Sequence, residues 1–170
     1  VAGCTDLFPA TDHKHLQGPI LDITGIGSLR GIINTDEGIR IGATTTWMDL
    51  IKADLPPACR GLQLAAQEVG ALQIHNRGTI AGNLCNASPA ADGIPPLLTL
   101  DVKVELQSKG GTRVVPLQNF ITGPRKTVLA ENELVTSLLI PKSSLTGQSH
   151  FLKLGARVYL VISIAMTSAR

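Results

Sequence analysis

The chain has 170 residues, of which 44% are hydrophobic, 16% charged and 3% aromatic, with a formal net charge of +2. That length buries a substantial core without covalent staples, and this composition excludes a disordered or strongly acidic chain. The small, scattered positive charge excludes an electrostatic grip on nucleic acid, and no apolar run reaches the roughly 18 residues of a membrane span.

In chain order, Val1 to Leu7 reads as a strand end running into a turn at Gly3-Cys4-Thr5-Asp6. Asp12-His13-Lys14-His15 is a polar, exposed connection, and Pro19 to Ile23 is a second short strand. Ile32–Asn34 and Gly38–Ile41 flank a turn cluster and predict a β-hairpin. Thr44-Thr45-Thr46 offers an N-cap to a helix from Trp47 to Ala53. Pro56-Pro57 opens a second helix through Val69, with Gly70 as its stop.

From Ile74 to Asp92 the chain becomes rich in Gly, Asn, Ala, Ser and Thr and loses amphipathic periodicity. Ile94 to Leu100 follows as a short apolar helix, then an alternating strand through Val102, Val104 and Leu106, a turn, and a return strand at Arg113 to Pro116. Leu134–Pro141 and Phe151–Arg157 read as strands, while Leu160 to Ala165 fits either a strand or a buried helix. Strands outnumber helices and do not alternate with them, which predicts an α+β fold with a mixed or antiparallel sheet.

The segment with most chemical content is Asn76 to Asp92. Its small residues allow close backbone approach to a ligand, and a nest of N–H groups would hold a phosphate with help from the Thr79 and Ser88 hydroxyls. No Lys follows in the Walker pattern, so a phosphate held here is a handle and not a reactant. A Gly-rich turn with an ordinary N-cap remains the alternative. Asp92 would either cap the next helix or accept from ligand hydroxyls. Gly3-Cys4-Thr5-Asp6 is a second small loop that would present N–H groups, and two such loops suit a diphosphate gripped from both sides.

Other residues carry less. His13 and His15 read as solvated loop residues, and Trp47 as core. His75 and Cys85 flank the Gly-rich loop, Arg125-Lys126 would be solvated or meet a phosphate, and Lys153 has the reach to touch a ligand. The three cysteines, Cys4, Cys59 and Cys85, form no CxxC pair, which favours a reducing compartment such as the cytoplasm. No catalytic triad, carboxylate pair or metal-ligand cluster is visible, so redox chemistry would come from a bound cofactor.

Taken together, these segments resemble the FAD-binding subunit, or medium chain, of the molybdenum hydroxylases, the family of xanthine dehydrogenase and bacterial carbon monoxide dehydrogenase. Val1 to Leu7 is similar to AGGTDL, Ile41 to Thr46 to IGA-x-T-T, and Asn76 to Asp92 to NRGTIGGNLANADPAAD. Gly123 to Thr127 is similar to GYRKT, Glu133 to Pro141 to the E-[IL]-hydrophobic-IP strand, and Phe151 to Arg157 to Y-x-K-x-G-x-R.

The resemblance implies a two-lobed, vanillyl-alcohol-oxidase-type FAD-binding fold. Residues 1–27 would be the remainder of a small N-terminal α/β lobe, 28–147 the larger FAD-binding lobe, and 148–170 the start of a C-terminal domain. It implies that Ala2, Gly3, Cys4, Thr5, Asp6 and Leu7, with Thr79, Ile80, Ala81, Gly82 and Asn83, bind the FAD pyrophosphate. Asp92 would make a polar contact, Val135 would pack on the cofactor, and Lys153 would reach in from the C-terminal side. It also implies a molybdopterin-binding large subunit and a 2Fe-2S small subunit as partners, neither group being carried by this chain, and electron delivery to a soluble acceptor. Cys4 and Ala81 stand where the family uses glycine, and Pro124 where it uses Tyr. A non-catalytic scaffold module of the same fold is the rival reading.

Overall fold

The computed structural model describes residues 1–12 and 15–170; His13 and Lys14 lie outside the described residues. The fold is α+β. Its centre is a five-stranded, wholly antiparallel sheet in the order β1-β2-β7-β3-β4.

Strands β1 (Ile32–Thr35) and β2 (Gly38–Gly42) form the predicted hairpin, with Thr35 opposite Gly38. β3 (Lys103–Ser108) and β4 (Gly111–Pro116) form a second hairpin, and β7 (Leu134–Pro141) lies between β2 and β3. Ile39, Ile41, Val104, Leu106, Leu138 and Ile140 are buried from these three inner strands; β3 alternates as a sheet with one covered face does, while central β7 is buried without a break from Val135 to Leu138.

Helices cover that face. α1 (Trp47–Lys52) starts at a capping box: Thr46 Oγ1 accepts from Asp49 N–H at 3.2 Å, and Asp49 Oδ2 accepts from Thr46 N–H at 2.9 Å. A 3₁₀ turn at Pro57–Cys59 leads into α2 (Arg60–Glu68), which buries Leu62, Ala65 and Ala66. Gly70 follows at φ +65°, the left-handed stop the sequence predicted.

The Gly-rich stretch is more helical than its sequence indicates. It holds α3 (Leu72–Arg77) and α4 (Ile80–Asn86), with α4 capped by Thr79 and ended by Ala87 in the left-handed region. α4 buries Ile80, Ala81 and Leu84 and leaves Gly82 and Asn83 outside the core, so tertiary burial offsets its poor intrinsic propensity. α5 (Ile94–Thr99) and the short α6 (Leu117–Phe120) close the helical layer. Two small hairpins complete the chain: β5 (Ile121–Gly123) with β6 (Lys126–Thr127), and β8 (His150–Leu154) with β9 (Ala165–Ala169).

Several predicted elements differ. Val1 to Leu7 forms successive turns instead of a strand end, with Phe8 N–H donating to Cys4 O and Ala10 N–H to Asp6 O. Pro19 to Ile23 is irregular; Ile20 and Leu21 are more than half exposed, so a strand there would bury no face. The two segments still touch, through Ile23 N–H to Val1 O at 3.0 Å. Leu160 to Ile164 is neither strand nor buried helix but an exposed irregular loop, and β8 stops before Gly155. Among the described residues no helix is long and apolar enough to cross a membrane.

Candidate dinucleotide-binding cleft

A cleft of about 600 Å³ opens where the N-terminal turns meet α3, α4, the segment before α5, and β8. Ala2, Gly3, Cys4, Thr5, Asp6 and Leu7 line one wall. Thr79, Gly82, Asn83, Asp92 and Lys153 line the others, so the structure gathers eleven of the fourteen predicted residues in one place.

Ile80, Ala81 and Val135 are not among them. All three belong to the hydrophobic core, and Ile80 N–H is already given to Thr45 O at 3.0 Å. The Ala81 methyl therefore points into packing and not at a ligand, which explains why this position tolerates a side chain.

The two loops differ in what they offer. Around Thr79 most donors are already engaged: Thr79 Oγ1 accepts from Gly82 N–H at 3.1 Å, and Thr79 O accepts from Asn83 N–H at 3.0 Å. The expected open nest is thus in large part an N-cap, with the N–H groups of Thr79 and Ala81 donating to nothing among the described residues. In the first loop, by contrast, the backbone N–H groups of residues 2–7 donate to nothing among the described residues. Such a run of free donors on a tight turn is an anion-binding arrangement.

Gly3 fixes that loop. A Cβ there would lie 2.0 Å from Arg77 O, so only glycine lets the first loop seat on the end of α3. Cys4 next to it adopts φ +58°, a conformation unfavourable for a residue with a Cβ, and its thiol donates to Ala2 O at 3.2 Å.

At the cleft floor, Lys153 Nζ donates to Asp92 Oδ2 at 2.7 Å and to Glu68 O at 3.1 Å. Both side chains are at least nine-tenths buried. Asp92 does not cap α5, as one sequence reading had it; the N-cap position is Gly93, which has no side-chain bond. Burial pushes the Asp92 carboxyl above its ordinary value, partly opposed by Lys153, with the Glu68 charge adding to the rise. Asp92 Oδ1 and Asn83 Oδ1 are buried acceptors without a hydrogen-bond partner. They would be satisfied by a ligand that brings hydroxyl or N–H donors.

The sequence reading underrated several residues. Arg125 reaches the rim, where its guanidinium donates to Asn86 Oδ1, and Asn86 Nδ2 donates to Asp6 Oδ2 at 2.9 Å. No carboxylate ion-pairs with Arg125 among the described residues, so its charge is available to an anion in the cleft. The signal was its place in the Gly-Pro-Arg-Lys-Thr stretch. Trp47 is core, as predicted, and also cleft wall; Val69, Val161 and Ile162 supply further apolar surface.

Ser88 lines the cleft with its hydroxyl accepting from Ala90 N–H at 3.3 Å. His75 and Cys85 stay off the wall, and His15 is exposed. The expectation for His13 falls outside the described residues.

The cleft fits a flavin dinucleotide: free N–H donors and Arg125 for the diphosphate, orphaned acceptors for hydroxyls, and volume within the range of cofactor sites.

Comparison with known proteins agrees. The xanthine dehydrogenase FAD-binding subunit of Escherichia coli O157:H7 is 36% identical over 160 residues, covering 89% of this chain and 53% of that protein. The nicotinate dehydrogenase FAD-subunit of Eubacterium barkeri is 35% identical over 169 residues, covering 96% and 57%. A solved chain of carbon monoxide dehydrogenase from Hydrogenophaga pseudoflava superposes with a TM-score of 0.84 at 28% identity, covering 96% of this chain and 57% of its own length. The chain thus spans a little over half the length of these relatives. Residues 1–143 match the model of the FAD binding domain in molybdopterin dehydrogenase, and the chain belongs to that family.

Proposed function

We propose that this chain is the FAD-binding, electron-transfer part of a molybdenum-containing hydroxylase. Electrons would arrive from 2Fe-2S clusters on a small subunit, fed by a molybdopterin-binding large subunit, and leave to an acceptor such as NAD or a quinone. The observation that carries the reading is the pairing, across one cleft, of a loop of free backbone donors with two orphaned buried acceptors, Asn83 Oδ1 and Asp92 Oδ1.

When bound, FAD supplies the conversion between paired and single electrons; the protein supplies position and field. Residues 2–7 would hold the diphosphate with N–H groups, and Arg125 would add a full positive charge at the rim. Asn83 and Asp92 would orient the cofactor through its hydroxyls or ring N–H. Lys153 fixes Asp92 through its other oxygen and opposes the upward pull of burial on the carboxyl, leaving Oδ1 as an acceptor. The apolar wall of Trp47, Val69 and Ile162 would exclude water from the ring. Three free thiols suit a reducing compartment, and we place the protein in the cytoplasm.

The scaffold reading draws on the Thr79 cap and on Cys4. The deciding experiment is to purify the protein, denature it, and identify any released flavin by chromatography and mass spectrometry. Stoichiometric FAD is the expected result. Protein that stays colourless after incubation with excess FAD would overturn the proposal in favour of the scaffold.

A further inference from the structure

We propose that Cys4 is a modification site: exchange with a small disulfide thiolates it and closes the cleft, so that S-thiolation and dinucleotide binding exclude one another. The inference rests on the reading of this cleft as the FAD site.

Cys4 lines the cleft and is part-buried. Its φ of +58° places a thiol-bearing residue where glycine is the undemanding choice. Asp92, nine-tenths buried on the same cleft with Oδ1 unpartnered, points to a ligand there independently of the cysteine.

The loop has no room to carry an adduct away. Gly3 is seated on Arg77 O, where even one added carbon would lie at 2.0 Å, and Asp6 is tied to Asn86 at 2.9 Å. A tripeptide on Cys4 would therefore occupy the space in front of the free N–H groups of residues 2–7.

The other two thiols compete poorly. Cys59 is fully buried, and Cys85, though exposed, lies off the cleft wall; desolvation pushes both up to about 11. Exchange proceeds through the thiolate, so both are slow nucleophiles near neutral pH.

The chemistry balances without a further oxidant. The Cys4 thiolate attacks one sulfur of the disulfide, that S–S bond breaks as the new one forms, and the displaced thiolate takes up the proton that Cys4 released. A reducing thiol reverses the step.

The test uses oxidised glutathione as the probe on the purified protein and on Cys4→Ser and Cys85→Ser variants. Adducts are located by peptide mass spectrometry and FAD binding is read by flavin fluorescence. The expected result is an adduct on Cys4 in the parent and in Cys85→Ser. FAD at ten times its Kd would slow that adduct about tenfold, the fraction of sites left free. The adduct would weaken FAD binding at least about tenfold, reversibly with dithiothreitol, whereas Cys4→Ser, whatever its own affinity, would ignore the disulfide.

FAD that binds without protecting Cys4, or binds the thiolated protein equally well, would overturn the inference alone. Adducts on Cys85 with Cys4 untouched would do the same. Failure of the untreated protein and of Cys4→Ser to bind FAD would sink the proposed function together with the inference.

Discussion

Lys153 on β8 and Asp92 before α5, separated by 61 residues in sequence, meet at 2.7 Å with both side chains almost wholly withdrawn from solvent. The contact joins the C-terminal hairpin to the Gly-rich segment at the floor of the cleft. Buried pairs of this kind gain little over an apolar pair, but breaking one leaves an uncompensated charge.

Lys153→Met is therefore expected to destabilise the fold by about 3 kcal/mol near neutral pH, and Asp92→Asn in the same chain to recover most of the loss. The pH dependence has a definite sign. The Asp92 carboxyl is raised by burial, and further once Lys153 is gone, so the variant's deficit grows as pH rises above the parent's own raised value and shrinks as pH falls toward the ordinary 3.8. Urea unfolding of the parent and variant across that range measures it. A deficit independent of pH would show that Asp92 is not the group left stranded.

Gly3→Ala would place a methyl 2.0 Å from Arg77 O. The first loop must then lift from α3, at a cost of about 1–3 kcal/mol for overpacking. We expect FAD affinity to fall about tenfold or more, since each 1.4 kcal/mol is a factor of ten. Isothermal titration checks it, with far-ultraviolet circular dichroism confirming that the sheet is intact.

Thr79 holds the first turn of α4 through its bond to Gly82 N–H. Thr79→Ala should cost about 1 kcal/mol, the worth of an N-cap, and lower Tm by about 2–4 °C for a chain of this size. Thr79→Ser should retain most of the stability. Differential scanning calorimetry distinguishes the three proteins.

On the surface, Arg113 and the backbone of Ala130 hold Glu133 down to about 2, against an ordinary 4.5. Any stability from this depressed carboxylate is present above 4.5 and lost as pH falls toward 2. Arg113→Ala should move the Glu133 titration back toward 4.5, which a side-chain NMR titration reads directly. An unmoved titration would mean that the Arg113 pair is not formed in solution.

Local order was legible in the sequence wherever a short pattern satisfies itself. The β1-β2 hairpin, the threonine N-cap before α1 and the Gly70 stop each depend on residues within a few positions, whose dihedral preferences are set by their own side chains. The motif stretches likewise come together in space: residues 2–7, Thr79, Gly82, Asn83, Asp92 and Lys153 line one cleft. Helix α4 was not legible, because Gly82, Asn83 and Asn86 conceal a periodicity carried only by Ile80, Ala81 and Leu84. The same burial takes the side chains of Ile80, Ala81 and Val135 into the core and off the cleft lining.

What the tertiary structure alone decided is the long-range pairing. β7 slots between β2 and β3, Lys153 finds Asp92, and Gly3 seats on Arg77. Each of these is selected by which apolar faces can be covered together and which charge must be neutralised once water is excluded. Those energies depend on groups distant in the chain, so no local stretch of sequence encodes them.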